Sequence, residues 1–393
     1  MGNPLVYFLV NNDYQLFDAR RHARALLEKG IASSLIEVPH ALGEGDRSCG
    51  FASVATIASP LRSHRWVGAW LRYFAAPITV LKVLHPGAGD VLFLYTEYEL
   101  INHFVVRRFK RAGARVYLIE DGGVGTYLPF SLSGNEVLST KQRIVATMTR
   151  CLPGLWQTRF HKVNSVVFPW MRDSSIDGLC LYRPLRIVRR FPVYVLRNQS
   201  HAPIDPICGR VIFLNERMYD DYQTIDQHVA SLVVILESLV AGFAEVFFKF
   251  HPREDVNSRT RLRVLIATRF PEVRIIESQR AVEALLIDYR PEVIASFFST
   301  ALLNLDGTRI EPMFLFQMIP ELANQRLFVQ LKALLAQWEC NLVASWSEAC
   351  SGYRSGLNLE NDAAEWTLDE LVARTRPTVP SQVTLPNNSA APQ

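Results

Sequence analysis

The chain has 393 residues, 49% of them hydrophobic and 20% charged, with a formal net charge of +4. That length exceeds one ordinary core and predicts two domains. The composition excludes a disordered chain, and so small a charge makes no case for a nucleic-acid partner. Six cysteines are scattered without a CxxC or zinc-finger spacing, which predicts free thiols in a reducing compartment. The start, MGNPLVYFLVNNDYQ, lacks a basic n-region and reads as a first strand rather than a signal peptide. No run reaches the roughly 18 consecutive apolar residues of a spanning helix. The expectation is a cytoplasmic protein.

In chain order, residues 4–10 form an apolar run that predicts a buried strand. Helical spacing follows over 16–29 and stops at Gly30, before a short apolar run at 32–38. Residues 91–97 predict a strand, the stretch to Gly113 a helix, and 115–120 the next strand. That β-α-β unit has the length a parallel crossover needs. Residues 183–209 carry four prolines and five arginines and predict a linker. Strands are then expected at 210–216, 244–250, 273–278 and 292–297, with helices at 226–243, 258–270 and 280–289 between them. The boundaries expected are 1–195 for an N-terminal α/β domain and 196–345 for a C-terminal one. A helical segment is expected over 346–375, with a Pro/Ser/Asn-rich disordered tail at 376–393.

Two α/β domains imply a cleft, and open α/β sheets bind ligands beyond the carboxyl ends of their strands. Three motifs fall at such ends. Glu120-Asp121-Gly122-Gly123 follows the strand RVYLI. Adjacent carboxylates resist joint ionisation, which suits a general base near neutral pH, and the glycines let a ligand approach the backbone. The bland alternative is an acidic turn. Lys249, His251 and Arg253 alternate along KFHPR at the end of a strand and, if extended, face one way as an anion site. Without the flanking cations, His251-Pro252 is an ordinary turn. Ser299-Thr300 stands between a strand and a helix start, where hydroxyls and free N–H groups bind phosphate or simply cap a helix. Asn215, after RVIFL, stands where it could reach the cleft.

The acid-acid-Gly, His-Pro and Ser-Ser/Thr motifs, in that order, resemble those of bacterial two-domain sialyltransferases. These are the lipooligosaccharide sialyltransferases and capsular polysialyltransferases of the GT-B type. The resemblance implies a GT-B-like α/β fold, two Rossmann-type domains facing a cleft. It implies a nucleotide-sugar donor, CMP-sialic acid, and a glycan acceptor. Glu120 would be the base on the acceptor hydroxyl and Asp121 a supporting acid, with the reverse left open. His251, Ser299 and Thr300 would serve the leaving phosphate, and Glu283, on a short helix between the second and third motifs, would hold the donor ribose. Gly122 and Pro252 belong to the motifs, while Lys249 and Arg253 add positive charge by their spacing. In-line displacement by one base implies inversion. The chain has no DxD motif, so no metal or other cofactor is expected.

A Kdo transferase using CMP-Kdo is the nearest alternative, and a non-catalytic glycan-binding protein on the same fold a further one. The sequence GGVG at 122–125 does not have the spacing of a dinucleotide fingerprint. Residues 61–77 interleave Arg62, Arg65 and Arg72 with Trp66, Trp70 and Phe74. Such a segment suits peripheral contact with an anionic membrane, here the inner membrane, or a core-packed amphipathic helix.

Overall fold

The computed structural model describes residues 5–41, 49–58, 66–121, 138–151, 158–163, 166–183, 185, 190–196, 204–252, 254–278, 280–305, 308–338 and 365–375. Strand β1 (Val6–Asn12) leads into α1 (Asp13–Glu28), whose start is capped by Asn12 accepting from Gln15 N–H. Then come β2 (Ser33–Ala41), β3 (Ser53–Thr56), α2 (Trp66–Val83), β4 (Val91–Leu94), α3 (Leu100–Arg111) and β5 (Arg115–Ile119). Helix α4 (Thr140–Arg150) and an antiparallel hairpin, β6 (Arg159–Val163) with β7 (Val166–Trp170), precede β8 (Gly178–Leu181) and β9 (Val193–Leu196).

A second series comes after these: β10 (Ile207–Leu214), α5 (Ile225–Gly242), β11 (Glu245–Lys249), α6 (Val256–Arg269), β12 (Arg274–Ile276), α7 (Val282–Tyr289), β13 (Pro291–Ser296) and β14 (Glu311–Phe314). Helix α8 (Arg326–Gln337) is next, then β15 (Glu365–Trp366) and α9 (Leu368–Thr375).

The first sheet has the order β15-β9-β8-β5-β4-β1-β2-β3 and the second β12-β11-β10-β13-β14. Among the described residues, the strand pairings in both are parallel throughout. Each sheet runs outward from its first strand in the doubly wound order, so each changes direction once. Those switch points lie between β1 and β4 and between β10 and β13. The expected pair of Rossmann-type α/β domains is therefore present in the strand order itself.

Parallel sheets are covered on both faces, and the strands show it: Val6, Phe8, Leu9 and Val10 are all fully buried. Each such side chain contributes roughly 1.5–3 kcal/mol on burial. Across the first sheet Phe8, Phe93 and Tyr117 stack in register, with ring centroids 5.5 Å apart at each step. The next position in that row is Gly178, paired with Tyr117, and a Cβ there would collide with the Tyr194 ring. Glycine lets the aromatic row close.

Two expectations need correcting. The stretch 183–209 is more than a linker, because Val193–Leu196 inserts in the first sheet beside β8. Its Val195 and Leu196 are buried, and that apolar content outweighs the flanking prolines. Of the segment expected to be helical over 346–375, the described residues 365–375 hold a short strand before their helix and return to the first domain. β15 pairs with β9, Leu368, Leu371 and Val372 join its core, and Lys29 salt-bridges Asp369 at 2.6 Å. The tail at 376–393 lies outside the described residues.

Among the described helices, α5 alone is long and apolar enough to cross a membrane, but it serves as the crossover between β10 and β11, with Leu232, Ile235, Leu236 and Leu239 buried. Its His228 is fully buried, with Nε2 3.1 Å from Asn215 Oδ1. Burial lowers its pKa to about 4, against roughly 6.5 in the unfolded chain. Between those values the unfolded chain binds more protons. The stability is complete above the unfolded pKa and is lost as pH falls through the folded one. Between pH 7.5 and 4.5 the fold should lose roughly 2–3 kcal/mol from this group. Denaturant titrations of wild type and His228→Gln test this; an equal pH slope in the two would refute it.

Candidate active site

Glu120 leaves the end of β5 fully buried. Its N–H donates to Cys180 O at 2.9 Å, and its Oε2 accepts the Tyr182 N–H at 2.8 Å. The side chain is thus held along β8. Asp121 is half-buried. Its charge, with that of Glu97, adds to burial in raising the Tyr98 hydroxyl. The two neighbouring acids therefore serve different surroundings. Gly122 lies outside the described residues.

Tyr182 joins Glu120 to a second acid. Its hydroxyl donates to Asp18 at 2.8 and 2.9 Å, and Tyr95 donates to the same carboxylate at 2.9 Å. Arg21 Nη2 lies 2.6 Å from Asp18 Oδ1, and His22 Nε2 3.4 Å from Oδ2. Burial alone would raise the Asp18 pKa; the opposing charges of Arg21 and His22 outweigh it and hold the carboxyl well below its usual range.

This cluster meets the second domain. Tyr14, Asp18, Arg21 and Tyr182 line one wall of a narrow crevice, and Glu283 and Asn304 the other, with ≈ 20 Å³ of room for water between them. Asn304 Nδ2 donates to Glu283 Oε1 at 2.9 Å, and Tyr14 Oη reaches Asn304 Oδ1 at 3.5 Å. The Tyr14 hydroxyl is raised by burial, then by the neighbouring Asp18, Tyr182, Glu120 and Glu283. Glu120 and Glu283 thus act on the same side chain from opposite domains.

The second motif departs from its expected geometry. β11 ends at Lys249, and Glu254 N–H donates to His251 O at 3.0 Å, closing a turn where Pro252 stops the ladder. The chain therefore turns directly after His251 instead of running on extended. Lys249 is 4% exposed and donates to Ser278 O at 3.1 Å. Burial and then Arg259 lower its pKa, opposed by the charge of Glu283. His251 is half-buried, Pro252 exposed, and Arg253 lies outside the described residues.

The third motif also differs. Thr300–Leu305 is a 3-10 helix of six residues rather than the start of an α-helix, which removes the macrodipole part of the phosphate argument. Ser299 N–H donates to Ser296 Oγ at 3.3 Å, and its side chain hydrogen-bonds Glu216. Asn215 is 2% exposed and occupied by Glu254 and His228, so it does not reach the cleft.

Sequence reasoning missed Tyr14, Asp18, Arg21, Tyr182 and Glu216. Glu216 had a signal, since it too comes just after a strand; the others are united only by the fold.

The alpha-2,8-polysialyltransferase family profile matches residues 81–307, which spans Glu120, His251, Glu283 and Ser299. The chain belongs to the alpha-2,8-polysialyltransferase family. It is a glycosyltransferase of sialic acid transfer, working between a nucleotide-sugar donor and a glycan acceptor. No curated protein matches the sequence significantly. Solved structures with a similar fold include Acinetobacter baumannii MurG, at 10% identity and TM-score 0.45, covering 95% of this chain and 99% of that one. The UDP-GlcNAc 2-epimerase of Methanocaldococcus jannaschii matches at 12% identity and TM-score 0.47, covering 93% and 95%. A ugt transferase from Siraitia grosvenorii, in complex with UDP, matches at 12% and 0.46, covering 95% and 100%. At such values the fold assignment rests on the strand order.

This polysialyltransferase-family chain has a further cavity, ≈ 320 Å³, along α3. Arg107, Lys110, Arg111 and Arg172 line it with His103 and Thr158. Lys110 is paired to Asp177 at 2.8 Å. Among the described residues no group of three or more His, Cys, Asp or Glu is arranged to hold a metal.

Proposed function

We propose that the chain is an inverting, metal-independent sialyltransferase that takes CMP-sialic acid, with Glu120 as the base on the acceptor hydroxyl. The observation that carries this is the interdomain crevice itself, where Tyr14, Asp18, Arg21 and Tyr182 face Glu283 and Asn304, and to which Glu120 is joined through the Tyr182 N–H. Asp121, half-buried next to Glu120, is the supporting acid in this reading.

The Glu120 carboxylate takes the acceptor proton, and the freed oxygen pair attacks the anomeric carbon. The bond from that carbon to the phosphate oxygen breaks, and its electron pair stays on CMP. The transition state is oxocarbenium-like, as in glycoside hydrolysis. His251, Ser299 and Thr300 would meet the phosphate charge, and Glu283 the ribose. Absence of a DxD motif supports the metal-independent reading. CMP release from CMP-sialic acid, unaffected by EDTA, with an inverted product anomer by NMR, is the expected result. Release from CMP-Kdo alone would move the assignment to a Kdo transferase, and release from neither would sink the transferase mechanism.

The cavity along α3 supports an acidic glycan acceptor, since four cations line it. Arg107→Ala combined with Arg172→Ala should raise KM for an acidic acceptor about tenfold, leave kcat close to wild type and flatten the salt dependence. An unchanged KM would place the acceptor elsewhere.

Peripheral contact with an anionic membrane on the cytoplasmic side is also proposed. Ile78 and Leu81 on α2 are 57% and 54% exposed, and Lys82 is exposed beside them. Failure to sediment with anionic liposomes at low salt would remove that proposal.

A further inference from the structure

Glu216 is a carboxyl for which the mechanism above has no task. It lies just past β10, the central strand of the second sheet, at the switch point between β10 and β13. Ligands of doubly wound sheets bind at that point. Leu214 pairs with Lys249 on one side and Ser296 on the other. The same register carried on two residues brings Glu216 level with His251 and Phe298. Its side chain hydrogen-bonds Ser299, and it is half-buried rather than sealed. A carboxyl group thus stands beside Ser299, and as an anion it would repel a phosphate bound there.

We propose that Glu216 binds the donor phosphate as a neutral carboxylic acid, its O–H donating to a non-bridging phosphate oxygen beside Ser299. This rests on the reading of CMP-sialic acid as donor. On arrival of the nucleotide, the hydrogen bond to Ser299 is exchanged for one to the phosphate. When the bond from the anomeric carbon to the phosphate oxygen breaks, the electron pair adds a second negative charge to CMP. The bond from Glu216 then strengthens with no proton transferred.

The environment keeps the acid protonated near neutrality. Burial raises its pKa to about 7, the Ser299 hydrogen bond opposes this, and the charge of Glu254 adds to it. Glu254 reaches in from the loop after β11, where Tyr219 Oη donates to it at 2.6 Å and Asn215 Nδ2 at 3.1 Å. Arg217 is next in the chain, with its guanidinium over the Tyr219 ring. From α5, His228 faces Asn215, and from β11, Lys249 is turned toward Ser278 and Glu283.

The test is binding of the methyl ester of CMP, whose phosphate keeps a single charge across the range, against cytidine, which has none. For wild type, affinity for the ester should fall about tenfold from pH 6 to pH 8 as Glu216 ionises, while cytidine affinity stays level. Glu216→Gln keeps a donor without a charge, so it should bind the ester with no such fall and about tenfold tighter than wild type at pH 8. A level wild-type profile for the ester, or a Glu216→Gln profile parallel to wild type, would overturn the proposal while leaving the donor reading intact. An equal fall with cytidine would also overturn it, by moving the pH effect to the nucleoside. No binding of the ester at any pH would overturn the donor reading and this proposal together. If Glu216→Gln fails to fold, His251→Asn carries the test, since it removes the other phosphate-facing group that titrates in this range: the tenfold fall for the ester should persist, and a level profile there would overturn the proposal.

Discussion

Glu120→Gln is expected to lower kcat by about 10²–10⁴-fold, the contribution of a positioned general base. CMP binding should stay within a few-fold of wild type, because Glu120 belongs to the first domain and the phosphate motifs to the second. The amide keeps an oxygen that can accept from the Tyr182 N–H, so the geometry at the end of β5 is preserved while the basicity is removed. Asp121→Asn is the companion, since it leaves the base in place and removes only a neighbouring charge; its loss should be smaller. If Asp121→Asn abolished turnover and Glu120→Gln kept it, the two roles would exchange. If both kept wild-type turnover, the proposed mechanism would be wrong. Single-turnover rates with CMP-sialic acid, measured beside CMP affinity, separate these outcomes.

Asp18→Ala should destabilise the fold by about 3–5 kcal/mol, since removing one partner of a buried ion pair strands the other. The carboxylate is 2% exposed and is met by Arg21, Tyr182, Tyr95 and His22. The alanine would leave the Arg21 charge and two hydroxyls without their shared acceptor. The folded carboxyl titrates below its unfolded value, so its stabilising effect is present above the unfolded pKa and is lost as pH falls toward the folded one. Wild type and Asp18→Ala should therefore converge in stability under acid. Tyr182→Phe distinguishes structure from catalysis. It removes the hydroxyl from Asp18 but keeps the backbone N–H that holds Glu120. It should lower the melting temperature with kcat near wild type. A large kcat loss in Tyr182→Phe without a change in Tm would show that the network acts on the chemistry.

The strands were legible because both faces of a parallel sheet are covered. Runs such as VYFLV, VLFL and VFFK carry little polarity, and only a few register choices accommodate them. Their ends were legible for the same reason, since the chain turns polar where the sheet stops. That is why Glu120, His251 and Ser299 could be picked out as strand-end residues. Element lengths read less well at 193–196, where four apolar residues sit among prolines and arginines, and at Glu365–Trp366, a strand of two residues with no periodicity to find.

By itself, the sequence determined two α/β units, the strand ends that carry polar motifs, and the motif order that resembles sialyltransferases. These are local properties, set by hydrophobic periodicity and by the polar residues that terminate each strand. Only the tertiary structure decided how those side chains are spent. Lys249 turns inward to donate to Ser278 O, and Asn215 is absorbed by Glu254 and His228. Asp18, Arg21 and Tyr182 come together over a separation of up to 164 residues. Glu216 acquires its raised pKa from burial beside Ser299 and Glu254, which lie far along the chain. Burial and charge pairing are sums over neighbours in space, and a linear pattern does not contain them.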